Sequence, residues 1–256
     1  EPLAGNQLAV FPDATAIPER RLQKLARETN FSETVFVYPP RTGGDARIRI
    51  FTPGAEIPFA GHPILGTATV LGLARKKSTI TLECKRGLVP VTLDLGKKRA
   101  CGWMVQPIPE VRRFPNPAAV CRALGVKRSI LPVEVYDNGI QHIYVTVETE
   151  AEVAALRPDA ARLAELAPHT GVNCFAGKGK RWKTRMFAAD MGVSEDPATG
   201  SAAGPLAAHL VRHGLIPSGT RIEIRQGAEI GRPSKLFARV TAENGRILKQ
   251  EVGGSA

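Results

Sequence analysis

Short apolar and β-branched stretches recur along the chain and outnumber the stretches whose apolar residues repeat at helical spacing. Twelve stretches fit a strand, at residues 8–11, 34–38, 47–52, 79–84, 88–93, 102–106, 133–136, 142–147, 172–175, 184–187, 221–225 and 236–240. Six fit a helix, at residues 19–29, 63–74, 118–124, 151–156, 160–166 and 205–213. This excess of strands argues against a regular doubly wound sheet. It predicts the α+β class, with curved mixed sheets that each surround one central helix.

The two most apolar of these helices each follow a glycine turn. The first turn reads F-A-G-H-P around Gly61, and the second reads E-D-P-A-T-G-S-A-A-G around Gly200. When these glycines are aligned, His62 falls on Ser201, and each turn follows a strand that contains R-x-F. Chance similarity between two glycine-rich turns is the alternative explanation. The repeated order of strand, turn and helix favours an internal duplication, and therefore two pseudo-symmetric lobes.

The duplication suggests where the chain divides. We expect an N-terminal lobe over residues 1–110 and a C-terminal lobe over residues 111–256, with the last strands free to return to the first lobe. A chain of 256 residues is long enough for two lobes of this size. Residues 107–117, which include four prolines, are predicted to form a stiff connector between the lobes.

The strongly basic balance of the chain raises the question of nucleic-acid binding. The net charge is +11 and the isoelectric point is about 9.9. The basic residues are nevertheless dispersed in small groups, and aromatic residues make up only 5%, which is few for a surface that stacks on bases. We therefore expect no nucleic-acid partner. A positive surface that attracts small anionic substrates explains the charge equally well.

Apolar runs and cysteines indicate the class of protein. No apolar run reaches the roughly 18 residues of a membrane span, and no signal segment opens the sequence, so we expect a cytoplasmic protein without a membrane partner. The four cysteines show neither the spacing of a zinc site nor that of a disulfide framework, and they lie at Cys84, Cys101, Cys121 and Cys174. Free thiols in a reducing compartment are the simplest interpretation.

Common cofactor motifs are missing from the sequence. The segment from Gly171 to Gly177 has five intervening residues where a P-loop has four, and Lys178 is followed by glycine. There is no G-x-G-x-x-G after a strand, no H-E-x-x-H and no G-x-S-x-G. We expect neither a cofactor nor a metal, so the chemistry should depend on side chains.

The residues around the two turns supply such chemistry. Asp196 and Ser201 sit where a helix begins, and Glu33 lies between the first helix and an apolar strand. Each has an ordinary alternative, because Asp196 or Ser201 can simply cap a helix and Glu33 can lie on the surface. Together with His62 they would form a proton-transfer site in which Glu33 carries the proton.

The helix N-termini complete this predicted site. Backbone N–H groups near Gly61 and Gly200 can hold a carboxylate, because the first turn of a helix leaves them without an internal partner and the helix dipole is positive there. We therefore expect the two turns to face one another across a cleft between the lobes. A small anionic substrate would fit such a cradle.

Several motifs resemble those of the phenazine-biosynthesis isomerase-like family. The block E-D-P-A-T-G-S-A-A-G is highly specific to that family, and the similarity extends from the first residues to about Ser234. The other motifs that carry it are G-N-Q-L-A-V-F at 5–11, S-E-T at 32–34, F-A-G-H-P at 59–63 and Q-G-A-E-I-G-R-P-S at 226–234. Further similarity to the phenazine-pathway member lies at 138–142, 173–177 and 181–187.

The resemblance implies a fold and a reaction. The fold is that of diaminopimelate epimerase, with two pseudo-symmetric lobes, and family members are usually homodimers. The reaction is a cofactor-independent isomerisation of trans-2,3-dihydro-3-hydroxyanthranilate in phenazine biosynthesis, in which a glutamate at the position of Glu33 takes a proton from C3 and returns one at C1. The enol product then becomes an aminoketone. His62, Asp196 and Ser201 match positions that line the family's pocket, and Gly61 and Gly200 match its carboxylate cradle.

Departures from the family pattern leave alternatives open. The thiol pair of related racemases is absent, because His62 occupies the first turn and neither Asp196 nor Pro197 is a cysteine. We also expect relatives to carry further strand at both ends. An isomerase or tautomerase of the same fold that acts on another cyclic amino acid is one alternative, and a non-catalytic ligand-binding protein is another.

Overall fold

A computed structural model describes residues 4–96, 100–191 and 193–255. The helices are α1 (Glu19–Thr29), α2 (Gly61–Arg75), α3 (Pro117–Leu124), α4 (Glu150–Ala154), α5 (Ala160–Leu166) and α6 (Gly200–Arg212). The strands are β1 (Leu8–Phe11), β2 (Glu33–Tyr38), β3 (Ala46–Phe51), β4 (Glu56–Ile57), β5 (Thr79–Cys84), β6 (Gly87–Leu95), β7 (Ala100–Gln106), β8 (Glu110–Arg113), β9 (Glu134–Asp137), β10 (Gln141–Thr146), β11 (Thr170–Lys178), β12 (Arg181–Ala188), β13 (Val193–Asp196), β14 (Ile222–Gln226), β15 (Ser234–Glu243) and β16 (Arg246–Ser255). The predicted α+β class is confirmed.

The N-terminal compact unit spans 6–105 and takes in the last residues of β16, from Gly253 onward. Its strands follow the order β1-β2-β3-β5-β6-β7, with β4 paired to β3. The sheet is mixed, because β1 pairs in parallel with β2 and β3 with β5, whereas the other neighbours are antiparallel. Helix α2 packs on this sheet and buries Ile64, Ala68 and Leu71 in an aliphatic core.

The C-terminal compact unit spans 106–252 and also takes in Gly5. Its strands follow the order β16-β15-β14-β12-β11-β10-β9-β8, with β13 paired to β12. Helix α6 is the central helix of this unit, since every residue from Gly200 to Leu210 is buried. Small residues allow that helix to pack deeply among Tyr144, Phe175 and Trp182. Helices α3, α4 and α5 contribute to a second apolar core.

Corresponding ion pairs in the two units reveal the duplication. In the N-terminal unit Arg49 of β3 binds both carboxylate oxygens of Glu56 in β4, at 2.8 and 2.9 Å. In the C-terminal unit Arg185 of β12 binds both oxygens of Glu195 in β13, at 2.9 and 2.7 Å. Each arginine is the first residue of the R-x-F repeat, and each stands 5.2 Å from the ring of the phenylalanine in that repeat. The predicted repeat of strand and central helix is confirmed within the units.

The structure divides the chain into two compact units. The units change over between Val105 and Gln106, whereas the sequence placed the boundary after residue 110. Residues 107–117 do not form a stiff connector, because β8 lies within them and pairs with β9, and α3 begins at Pro117. That interpretation was wrong. Proline is compatible with the ends of an edge strand and with the first position of a helix.

The predicted start of the last helix was also wrong. The sequence favoured residue 205, because proline normally interrupts a helix, but α6 begins at Gly200 and contains Pro205. Pro205 has no N–H group to donate to the carbonyl of Ser201. The side-chain amide of Asn138 donates to that carbonyl instead, at 2.9 Å, so the lost hydrogen bond is replaced. In the described part of the chain, no helix is long and apolar enough to cross a membrane.

Candidate active site

Glu33 is a buried carboxyl at the first position of β2. Its neighbour in the parallel strand β1 is Leu8, and only 15% of its side chain is exposed. The Oε2 atom accepts no hydrogen bond from the residues that the structure describes. Burial without compensating donors raises the pKa of Glu33 from 4.5 to about 8. Such a carboxyl can both accept and donate a proton near neutral pH.

His62 is a neighbour of this carboxyl that can exchange a proton with it. It is the second residue of α2, and its Nε2 atom lies 3.2 Å from Glu33 Oε2 and 3.4 Å from the carbonyl oxygen of Gln7. Beside it, the Ser32 hydroxyl donates to Asn6 Oδ1 at 2.6 Å and fixes the segment that leads into β2. The structure thus places the side chains of Glu33 and His62 next to one another.

The start of α2 has the features of an anion-binding helix end. Ala60 precedes the helix in an extended conformation, and no side chain caps it. Gly61 is the first helical residue and is buried. An uncapped helix start concentrates N–H groups and positive dipole charge at one place. A carboxylate held there would be a substitute for the missing cap.

A change of stability with pH follows from the environment of Glu33. In the folded protein the pKa is about 8, whereas the unfolded chain titrates near 4.5. Between these values the unfolded state has released a proton that the folded state keeps, so the free energy of unfolding falls by up to ~1.4 kcal/mol for each pH unit. We expect Glu33→Gln to remove this fall. Relative to wild type, the variant should gain about 2 to 4 kcal/mol between pH 5 and pH 8 in urea unfolding.

The matched control for that measurement is Glu28→Gln, because Glu28 is exposed on α1. Its unfolding free energy should follow that of wild type at both pH values. If wild type and Glu33→Gln instead show parallel pH dependence, Glu33 titrates normally in the folded protein and its burial has no electrostatic consequence.

In the C-terminal unit Asp196 belongs to a tight hydrogen-bonded turn. Asp196 ends β13 and is 8% exposed. The Thr199 hydroxyl donates to Asp196 Oδ2 at 2.5 Å, and Gln226 Nε2 donates to the Asp196 carbonyl at 2.7 Å. Gln226 also accepts from the backbone N–H of Thr199 at 3.2 Å. These bonds hold the Asp196 carboxylate immediately before α6.

Ser201 is the second residue of α6 and corresponds to His62 in α2. Its Oγ atom lies 3.0 Å from Nε2 of His142, a fully buried residue of β10. The preceding carbonyl, of Gly200, accepts from Gln106 Nε2 at 2.9 Å. As in α2, no side chain caps the first turn. Hydrogen bonds to a carbonyl group therefore hold the start of α6. The N–H groups of its first turn are not capped by a side chain.

Gln226, Thr199 and His142 are site residues that the sequence reasoning did not assign. Gln226 opens the quoted Q-G-A-E motif, and Thr199 lies inside the E-D-P-A-T-G-S block. Both were therefore visible as motif members, but their hydrogen bonds join segments that lie 27 residues apart. His142 is one of several polar residues in β10, so its residue type is only a weak signal. Glu195, also in the block, pairs with Arg185 and is structural.

One further cluster has the composition of a metal site. Glu134, His209 and His213 offer ligand atoms that all lie within 4.8 Å of one another. Hydrogen bonds already account for this geometry. His213 Nε2 lies 2.9 Å from Glu134 Oε2, the Tyr136 hydroxyl donates to the same oxygen at 3.0 Å, and His209 Nδ1 is 3.1 Å from that hydroxyl. Burial raises the pKa of Glu134, but hydrogen bonds from His209, His213 and Tyr136 outweigh it and lower the pKa to about 2.

The predicted residues therefore fall into two groups. Glu33, Gly61 and His62 lie in the N-terminal unit, and Asp196, Gly200 and Ser201 lie in the C-terminal unit. Within each unit they are close to the start of the central helix. The expectation that the two turns face one cleft stays a prediction, as does the expectation that no metal or cofactor is needed.

Comparison with known proteins supplies the relatives of this chain. Residues 1–256 match the family model described as phenazine biosynthesis-like protein. The chain is 51% identical to the trans-2,3-dihydro-3-hydroxyanthranilate isomerase of Pseudomonas aeruginosa, over 100% of this chain and 92% of that protein. It is 46% identical to the enzyme of the same name from Pseudomonas fluorescens, over 99% of this chain and 91% of that protein.

A solved structure is similar in fold. It is a phenazine biosynthesis protein of Bacillus anthracis, with a TM-score of 0.88 and 24% sequence identity, and the match covers 99% of this chain and 91% of that one. At this identity the similarity concerns the fold alone. It confirms the arrangement of mixed sheets and central helices expected from the resemblance.

Proposed function

The chain belongs to the phenazine biosynthesis-like protein family, and from this premise we propose that it is an isomerase of trans-2,3-dihydro-3-hydroxyanthranilate. Three relatives that carry this name are 46–51% identical to it over almost the whole chain. Among the structural observations, the one that carries the proposal is the buried Glu33 carboxyl with His62 at 3.2 Å. A carboxyl with a pKa near neutrality is the group that the reaction requires.

The proposed reaction moves one proton across the substrate ring. Ionised Glu33 removes a proton from C3, and the electron pair of that C–H bond enters the conjugated system of the ring. Protonated Glu33 then donates to C1, where a new C–H bond forms. The enol that results becomes the aminoketone by ordinary tautomerisation. Neither an oxidant nor a reductant is consumed, so the steps balance without a cofactor.

The remaining predicted residues receive binding roles in this proposal. Backbone amides at the starts of α2 and α6, near Gly61 and Gly200, would bind the substrate carboxylate. His62, Asp196 and Ser201 would be its polar partners. Supporting these roles, the Asp196 carboxylate and the Ser201 hydroxyl are each held by neighbouring side chains at hydrogen-bond distance. Such support keeps polar groups in place before the substrate arrives.

The proposed function is tested by the assay of the purified chain with trans-2,3-dihydro-3-hydroxyanthranilate, followed across pH. Because Glu33 must be ionised to remove the proton and its pKa is about 8, kcat/KM should rise about tenfold per pH unit from pH 6 to 7 and level off above pH 8. Absence of turnover at every pH would contradict the proposal. Turnover with a flat profile from pH 6 to 9 would contradict the role of Glu33 as the base.

We further propose that the enzyme acts in the cytoplasm as a homodimer and needs neither cofactor nor metal. In support, none of its four cysteines forms a disulfide. Light scattering on the purified protein should give twice the mass of the 256-residue chain. Activity should survive exhaustive dialysis against a chelator, and loss of activity that zinc or another divalent ion restores would contradict this part of the proposal.

A further inference from the structure

Asn173, His142 and Ser201 form a buried chain of hydrogen bonds that resembles a catalytic triad. His142 Nε2 lies 3.0 Å from Ser201 Oγ, and His142 Nδ1 lies 3.4 Å from the side-chain nitrogen of Asn173. All three residues belong to the C-terminal unit and are less than 9% exposed. In a hydrolase with a serine nucleophile, the histidine would accept the serine proton on Nε2 and carry its own hydrogen on Nδ1.

The orientation of the Asn173 side chain indicates the opposite direction for the hydrogen bond between His142 and Ser201. Its Nδ2 atom lies 3.2 Å from the carbonyl oxygen of Ile143 and 3.3 Å from that of Gly171. Two carbonyl acceptors require the nitrogen, not the oxygen, of the amide on that side. The amide therefore turns its NH2 group, and not its oxygen, toward His142, so a hydrogen on Nδ1 would find no acceptor in Asn173 and Nδ1 is assigned as the unprotonated nitrogen.

The backbone of the neighbouring strand packs closely against the Nδ1 side of the His142 ring. Gly171 lies opposite His142 in the neighbouring strand, and a Cβ atom at that position would be 2.7 Å from His142 Nδ1. Burial also lowers the pKa of His142 to about 4, although the charge of Asp137 acts in the opposite direction, so the ring is neutral at physiological pH. A neutral ring with an accepting Nδ1 carries its single hydrogen on Nε2.

We propose that His142 is a positioning residue that fixes Ser201 as a hydrogen-bond donor toward an anionic oxygen of the substrate. Because Nε2–H donates to Ser201 Oγ, the serine hydroxyl cannot give its own hydrogen to His142. Ser201 Oγ has no other partner in the described part of the chain, so its hydrogen is available to a ligand. Because His142 Nε2 carries the hydrogen, it cannot accept the serine proton, so Ser201 is not a nucleophile activated by His142.

The identity of the acceptor rests on the proposed function. At the uncapped start of α6, where the helix dipole is positive, a hydroxyl whose own hydrogen is not used by His142 favours a carboxylate, which accepts that hydrogen, over an ammonium group. The carboxylate of a dihydrohydroxyanthranilate provides such an acceptor. Ser201 would therefore contribute to recognition of the substrate acid group, and His142 would contribute by orienting Ser201.

The first test determines which ring nitrogen of His142 carries the hydrogen, and its result does not depend on the proposed function. Long-range ¹H–¹⁵N correlation spectra of protein labelled at histidine show which ring nitrogen carries hydrogen, and the His142 signals are assigned by their loss in His142→Gln. We expect hydrogen on Nε2 at pH 7. Hydrogen on Nδ1, or a doubly protonated ring, would overturn the inference whether or not the chain is an isomerase.

The second test separates positioning from a merely structural role. His142→Leu removes the donor, and we expect KM to rise about tenfold with kcat within about threefold of wild type. His142→Gln can still donate an amide hydrogen and should restore most of the affinity. In a Ser201→Ala background, His142→Leu should cause no further increase, because the hydroxyl that it orients is gone.

The outcomes of the second test remain distinguishable from failure of the proposed function. If wild type does not convert the substrate, the isomerase proposal fails, and the same variants are compared for binding of 3-hydroxyanthranilate by calorimetry. Equal KM or Kd for wild type and His142→Leu would overturn the inference. The inference would also be overturned if His142→Leu raised KM or Kd as much in the Ser201→Ala background as it does in the wild-type background. If His142→Leu does not fold, the inference is judged from the tautomer of His142 and from the KM of His142→Gln.

Discussion

Glu33→Gln is expected to lower kcat by at least about a thousandfold while the protein remains folded. Glutamine has nearly the shape of protonated glutamic acid, so it fits the same buried place, but it can neither accept a proton from C3 nor deliver one to C1. The change also removes a buried ionisable group, and folding should therefore not suffer. The rate is measured by direct assay of the isomerisation, and the fold by circular dichroism and thermal unfolding.

Binding provides the internal control for that variant. Glu33→Gln should still bind 3-hydroxyanthranilate with an affinity close to that of wild type, which shows that the site is intact. The exposed Glu28→Gln variant should retain full activity. A Glu33→Gln enzyme that works within tenfold of the wild-type rate would mean that another group transfers the proton.

Gly227→Ala is expected to destabilise the C-terminal unit by at least about 3 kcal/mol. Gly227 follows Gln226 directly and has a φ of +78°, a conformation that side chains disfavour. An added Cβ atom would lie 2.4 Å from the carbonyl oxygen of Arg232 and 2.6 Å from that of Pro197. Both contacts are with backbone, so relief requires movement of the turn that carries Asp196. Activity should fall together with the midpoint of urea unfolding.

Gly231→Ala is the matched comparison for this substitution. Gly231 has a φ of +70°, but nothing lies within 4 Å of the position that its Cβ atom would occupy. The variant should therefore lose only the conformational term, about 1 to 2 kcal/mol, and should keep its activity. Equal destabilisation by the two substitutions would show that the close approach of Pro197 and Arg232 does not contribute to the loss of unfolding free energy.

The central helices could be predicted from the sequence because their composition is unusual. Small and apolar residues after Gly61 and Gly200 predict helices that are buried on most sides, and both are. The R-x-F repeat also pointed correctly to equivalent strands. Its physical meaning became clear only in the structure, where Arg49 and Arg185 each bind a glutamate on a short neighbouring strand.

The errors arose where a distant side chain replaces a local interaction. Pro205 predicted a helix boundary because local rules do not include Asn138, which lies 63 residues from the carbonyl that it satisfies. The prolines of residues 107–117 likewise concealed β8, whose pairing with β9 depends on a strand more than twenty residues away. Propensity describes the chain segment alone, and tertiary hydrogen bonds can override it.

The candidate site was predicted in part for the same reason. Glu33 and His62 could be named from motifs, but the burial that shifts the pKa of Glu33 is a property of the folded chain. Asp196 could be named as well, whereas the contact from Gln226 that helps to hold it joins two separate motifs. Spacing along a sequence indicates which residues are chemically capable, and the fold determines their protonation and orientation.

The proposed reaction depends on Glu33 as a buried carboxyl that exchanges a proton near neutral pH. This property is tested most directly by a ¹³C NMR titration of protein labelled at the glutamate side-chain carboxyl, in which the Glu33 resonance is identified by its absence from Glu33→Gln. We expect a titration midpoint close to pH 8. A midpoint near 4.5, the ordinary value for glutamate, would contradict it.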